Sequence, residues 1–162
     1  MQNDTASLIL RLLNENRIMT IATNRPDGWP QATVVGYAND GFVLYTFVAR
    51  DGQKFANIAR DPRVSIAIAH DYPQPLEIKG LSMAAHVTLV DRPEEFQRVL
   101  GLMAARYPEY KALPLPNLEE VPVLRITPEV ISVLDYAKGF GHSDLVTVTR
   151  DDLAKAGHLA AA

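Results

Sequence analysis

The sequence predicts a mostly β domain: a small antiparallel barrel of about six strands with helices at its rims. Three observations carry that prediction. Short β-branched stretches recur with turn residues between them, helical stretches are few, and their order is not the alternation of a parallel sheet. The length of 162 residues suits one domain, 1–162, with a core that needs no staples.

The elements read in order. Leu8, Ile9, Leu12 and Leu13 share one side of an N-terminal helix within residues 1–16, capped near Asp4 or Thr5. Residues 18–23, Ile-Met-Thr-Ile-Ala-Thr, form a strand, and Pro26-Asp27-Gly28 a turn. A second strand, 31–38, runs into Asn39-Asp40-Gly41, a type I′ hairpin signal, and a third strand, 42–48, completes an antiparallel meander. Asp51 is placed to cap a short helix with Phe55 and Ile58 inward, ended by Asp61-Pro62.

Residues 63–69 alternate Val64, Ile66 and Ile68 with Ser65, Ala67 and Ala69, so one face is small enough for close approach by something else. A further strand, 76–90, carries Gly80 as a bulge or corner. From 91 to 107 the Phe96, Val99, Leu100, Met103, Tyr107 stripe marks a helix, with Asp91 and Glu94 at capping-box spacing and Pro93 in its first turn. Prolines 108, 114 and 116 make a linker, followed by strand segments 123–127 and 130–136 hinged at Pro128. The Ala-rich tail, 152–162, is expected to be flexible.

Composition removes whole classes. At 48% hydrophobic and 22% charged residues the chain is neither disordered nor collagen-like nor a coiled coil. With no cysteine there is no disulfide, thiol nucleophile, Cys-ligated zinc or iron–sulfur cluster. Sixteen Lys and Arg against nineteen Asp and Glu give −3, the wrong balance for a nucleic-acid binder, and an oligonucleotide-binding barrel also lacks its interleaved basic and aromatic strands. No stretch is apolar enough for a membrane helix and no secretory signal opens the chain, so a cytoplasmic protein without membrane or nucleic-acid partners is expected.

Two places can carry chemistry. Lys54 falls in the first turn of its helix, where the macrodipole disfavours a cation, with Arg50, Arg60 and Arg63 close in sequence. It reads either as a solvated surface lysine or as the ligand of an anion held with free backbone N–H groups, to which Thr46 adds a hydroxyl. Lys138-Gly139-Phe140-Gly141-His142-Ser143-Asp144 reads either as a capped turn or as a flexible loop carrying a cation, a ring and an imidazole. His70, His86, His142 and His158 lack metal-ligand spacing; His86 reads as a hydrogen-bonded sheet residue and His158 falls in the tail. There is no nucleophile elbow, and Glu94-Glu95 and Glu119-Glu120 read as helix-start and loop charges.

The ordered series 18–23, Asp-Gly-Trp-Pro-Gln-Ala (27–32), Leu-Tyr-Thr-Phe (44–47), Gln-Lys-Phe-Ala-Asn-Ile (53–58), Asp-Pro-Arg-Val-Ser (61–65) and Leu-Asp-Tyr-Ala-Lys-Gly-Phe-Gly-His-Ser-Asp-Leu (134–145) resembles the pyridoxamine 5′-phosphate oxidase-like family. The resemblance implies a six-stranded antiparallel split β-barrel, and a homodimer with FMN at the subunit interface. It implies that Thr33, Val34 and Val35 lie along the isoalloxazine ring and that Tyr45 and Thr46 contact the phosphate-side tail. Lys54 would bind the phosphate with Arg50 and Gln53 as neighbours, and Tyr136, Lys138 and His142 would lie on the substrate side. The oxidases' second-strand arginine and lysine, C-terminal tryptophan and arginine-x-histidine pair have no counterpart here, which points away from vitamin B6 oxidation. The function implied is an FMN-dependent oxidoreductase of unknown substrate. The alternatives are an F420-dependent reductase or a non-enzymatic flavin- or heme-binding module.

Overall fold

The structure, a computed structural model, describes residues 1–112, 114 and 121–160. Helix α1 spans Asn3–Glu15 and buries Ile9, Leu10, Leu12 and Leu13; it starts behind Gln2 without a side-chain cap, so neither Asp4 nor Thr5 caps it. Strands β1 (Ile18–Asn24) and β2 (Pro30–Gly36) form a hairpin, as do β3 (Ala38–Asp40) and β4 (Val43–Phe47). After them come α2 (Gln53–Arg60), β5 (Arg63–Ala69), β6 (Lys79–Leu89), α3 (Pro93–Arg106), β7 (Val123–Asp135), β8 (Ser143–Thr147) and α4 (Arg150–Ala160). The described residues thus hold eight strands where the sequence suggested about six: the β2–β3 region breaks at Tyr37, and β8 begins at the end of the 138–144 stretch and runs past it.

All pairings are antiparallel, in the order β2-β1-β5-β6-β7-β4-β3, with β8 also on β7. The expected three-strand meander is therefore not formed, because the two early hairpins part to opposite edges of the sheet. The long strand β7 makes this possible. Its first half pairs with β4 and its second half with β8, with β6 along its other side. The hinge expected at Pro128 is not a break but the bulge in this strand: Ala84 and Ala85 oppose Val130 and Pro128, leaving Glu129 as the extra residue. The bulge sits there rather than at Gly80 because proline cannot donate to the ladder. The sheet curls until β4 approaches β2, where the Thr46 hydroxyl donates to the Gly36 carbonyl at 2.7 Å.

The concave side holds the core, where Met19, Ile21, Val64, Ile66, Ile68, Leu81, Met83, Leu124, Ile126, Ile131 and Val133 pack around the α1 stripe. Inward and outward positions alternate strictly on β5, as its sequence predicts. The β3–β4 turn has a positive φ at Gly41 alone, the II′ pattern rather than I′. Gly41 also meets α4, whose Gly157 nitrogen lies 2.7 Å from where a Cβ would sit. Residues 152–160 of the C-terminal segment belong to α4. Thr149 and Asp152 form a reciprocal cap, with the Asp152 carboxylate accepting from the Thr149 N–H at 2.9 Å and its N–H donating to the Thr149 hydroxyl at 3.2 Å.

Helix α3 starts at Pro93 behind Arg92, again without the expected capping box, and α2 starts behind Gly52, so Asp51 caps nothing. Residues 108–112 of the expected linker form a 3-10 helix. Pro116 and Glu119-Glu120 lie outside the described residues, as does the side chain of His158. Among the described residues no helix is long and apolar enough to cross a membrane.

Candidate functional site

The curl leaves a cleft where β2 faces β4. Val35, Gly36, Thr46 and Phe47 line it, Met103, Tyr107 and Tyr110 roof it, and its volume is about 310 Å³. Among the described residues β2 pairs only with β1, so its other edge, apart from the Gly36 carbonyl that Thr46 meets, presents backbone N–H and C=O groups without a strand partner. Such an edge suits the donor–acceptor rim of a flat heterocycle. Thr33, Val34 and Val35 all lie on this strand; Thr33 and Val35 are half-buried, while Val34 points outward at 65% exposure. The Thr33 hydroxyl is buried without a hydrogen-bond partner among the described residues, an unmet polar group on the strand with the open edge.

The other side of β2 runs under α2. Asn57, fully buried, donates to the Thr23 hydroxyl and the Gln31 side chain, each at 3.0 Å, and accepts from Gln53 at 2.8 Å. Gln31, Thr33 and Val35 share one face of β2, so a continuous strip leads from α2 to the cleft. Gln53 is therefore part of the scaffold under the start of α2. Lys54 follows it in the first turn, half-buried, with no ionic partner among the described residues, and burial pushes its pKa down. The Arg50 guanidinium lies over the Phe55 ring at 5.3 Å, just ahead of that turn. A half-buried cation with no counter-charge, at a helix start and close to orphaned donors, fits a phosphate or another anion.

Other expected residues lie elsewhere. Thr46 lines the cleft, but the Tyr45 hydroxyl faces the other way and donates to Glu95 at 3.0 Å. Tyr136, Lys138 and His142 sit where β7 turns into β8, next to Ile78, and are not brought to the cleft within one chain. Lys138 and His142 both face Asp144, at 2.7 and 3.2 Å. The flanking Phe140 is 82% exposed. His86 is paired with Glu129 at 2.8 Å, in keeping with a sheet residue.

Sequence reasoning missed the roof and its anchors. Tyr107 accepts from the Tyr37 N–H at 2.8 Å, its ring stacks on Tyr110 at 5.2 Å, and it fills the space a Cβ at Gly36 would need, 2.9 Å away. Glu95 is buried and binds Arg125 in fork fashion, with one arm at 2.7 Å. Both had a signal: Glu95 shares the inner helical face with Val99 and Leu102, and Arg125 interrupts a buried β stretch between Leu124 and Ile126.

The convex face has its own pattern. One row across six strands reads Val34, Thr20, Ala67, Ser82, Ser132, Leu145; the next reads Ala32, Ala22, Ser65, Ala84, Val130, Thr147. The centre is small, and the ends, Val34 and Leu145 at 65% and 75% exposure, are large and apolar. Two shallow troughs of about 330 and 390 Å³ lie along it.

A curled antiparallel sheet that stays open between two edge strands, with helices at its rims, is a split barrel. The chain belongs to the pyridoxamine 5′-phosphate oxidase family, whose model matches residues 7–135. No curated protein matches the sequence. Among solved structures it is similar to a heme binding protein from Mycobacterium smegmatis, at 19% identity and TM-score 0.76, covering 98% of this chain but only 62% of that one. It is also similar to the heme storage protein HutZ from Vibrio cholerae, at 20% identity and TM-score 0.61 over 75% of this chain and 87% of that one. A conserved hypothetical protein from Mycobacterium tuberculosis matches at 24% identity and TM-score 0.67 over 93% and 94%. At these identities the likeness is one of fold.

Proposed function

We propose that this chain binds FMN and works as a flavin-dependent oxidoreductase, as a homodimer with the cofactor at the subunit interface. The observation that carries the reading is Lys54: a half-buried cation without an ionic partner among the described residues, at the start of α2, one strip of β2 away from an open strand edge. Lys54 holds the phosphate, with the first N–H groups of α2 and, ahead of them, Arg50. The open edge of β2 orients the ring through its backbone, and the Thr33 hydroxyl gains the partner it lacks. Thr46 closes the far end of the cleft. When bound, FMN supplies hydride or single-electron chemistry that no side chain of this cysteine-free chain provides.

The convex face supports the dimer. Its small centre admits close approach, and its apolar ends are the kind of exposed surface that marks an interaction site. A second copy docked there carries its Tyr136–His142 loop, with Lys138 and the exposed Phe140, toward the cleft that one chain leaves incomplete.

Heme is the second reading, favoured by the names of two structural neighbours. Among the described residues no histidine lines the cleft, which favours FMN for this pocket. F420 would use the same cation and edge. Reconstitution of the purified protein with FMN, heme and F420 in parallel separates the three. Retention of yellow flavin absorbance after gel filtration, one FMN per chain, is expected; retention of heme or F420 alone contradicts the reading.

A further inference from the structure

Glu95 is a buried charge to which the site gives no task. It sits in the first turn of α3 with its side chain 4% exposed. Four groups face it: Arg125 of β7, bidentate; the Tyr45 hydroxyl of β4 at 3.0 Å; Arg98 of α3 at 3.8 Å; and Arg92 just ahead of α3 at 3.5 Å, while Arg98 also pairs with Asp40 of β3 at 2.6 Å. The same residues hold each other, since Arg98 also donates to the Tyr45 hydroxyl at 3.1 Å. At its other end α3 is fixed by Tyr107, whose hydroxyl bonds Arg17 and Tyr37 at the β2–β3 junction.

We propose that Glu95 is a positioning residue for the cleft: by tying α3 to β4 and β7 it sets the height of the Met103–Tyr107–Tyr110 roof above Val35 and Thr46. Tyr45 and Thr46 are chain neighbours with opposite tasks. The Thr46 hydroxyl ties β4 across the split to Gly36, and the Tyr45 hydroxyl ties the same strand to α3. The width of the cleft and the seat of its roof are thus coupled through one strand. Removing the carboxylate leaves Arg125, Arg92 and Arg98 facing one another, so α3 loses its tie to β4 and β7 and tilts about its Tyr107 end, which shifts the roof. The consequence for a bound flavin rests on the reading above; the consequence for the roof does not.

The test compares wild type, Glu95→Gln and Tyr45→Phe, the last removing a single donor should the first fold poorly. Amide hydrogen exchange is followed at Tyr107 and Tyr110, whose N–H groups donate to the carbonyls of Met103 and Tyr107. Exchange there should speed by about tenfold in Glu95→Gln and less in Tyr45→Phe, while the core amides of Ile66 and Met83 keep their wild-type rates. FMN affinity should fall by roughly tenfold with an altered visible circular dichroism band. Unchanged exchange at Tyr107 and Tyr110, or an equal rise across the core, overturns the proposal. Wild-type protein that binds no FMN overturns the flavin reading instead, and the exchange result still decides the role of Glu95.

Discussion

Lys54 places a cation where the fold alone gains nothing from it. The helix dipole opposes the charge, burial removes part of its hydration, and no carboxylate compensates among the described residues. The sign of its effect on stability follows. A base whose folded pKa is depressed costs stability at every pH below that value, and the cost fades as pH rises toward the free-lysine value of about 10.4. Lys54→Met should therefore raise the Tm of the ligand-free protein at neutral pH, with the gain shrinking in alkaline buffer, while FMN affinity falls. A thermal melt series across pH checks it, and a lower Tm at neutral pH contradicts it. This trade is the usual signature of a binding residue. The cation at a helix start was legible in the sequence because the rule broken is local. Glu95 was not picked out, since a carboxylate near a helix start looks ordinary until Arg125, thirty positions later, is folded onto it.

At the scale of elements, β5 and the helices were readable wherever one period dominated, and their ends were readable where a proline stood, as at Asp61-Pro62 and Pro93. Caps were less so: α1, α2 and α3 all begin without a side-chain cap, while α4 has one. Its Thr149-x-x-Asp152 spacing carries that signal. The hydrogen bonds from Thr149 hold the Asp152 carboxyl at about 2, below the ordinary value near 3.9. An acid with a depressed folded pKa stabilises fully above its unfolded value and loses that contribution as pH falls through the folded one. Asp152→Asn should lower Tm at neutral pH by about 2–4 °C for a loss of ~1 kcal/mol. The gap to wild type should narrow steadily as pH falls from about 4 to about 2; a gap unchanged over that range contradicts the assignment. Pairing across the sheet was the least legible feature. No local pattern tells β2 that it has no second strand neighbour among the described residues, and that gap is what opens the cleft.

The whole molecule is a curled sheet with two committed surfaces: a concave one filled by α1 and a convex one left bare. The small residues of β5 hinted at the second, and the cross-strand rows extend the pattern over six strands. If that face receives a second copy, Ala67→Lys at its centre should split the dimer in analytical ultracentrifugation and weaken FMN binding without unfolding the chain. A dimer unaffected by the substitution moves the interface elsewhere.

The central claim is that Lys54 anchors the phosphate of a flavin. Its most direct test is a titration of FMN fluorescence with ligand-free wild-type protein and with Lys54→Glu, with riboflavin as the phosphate-free control. Wild type should bind FMN more tightly than riboflavin, and Lys54→Glu should remove that preference. Equal preference in the two proteins, or wild-type binding indifferent to the phosphate, contradicts it.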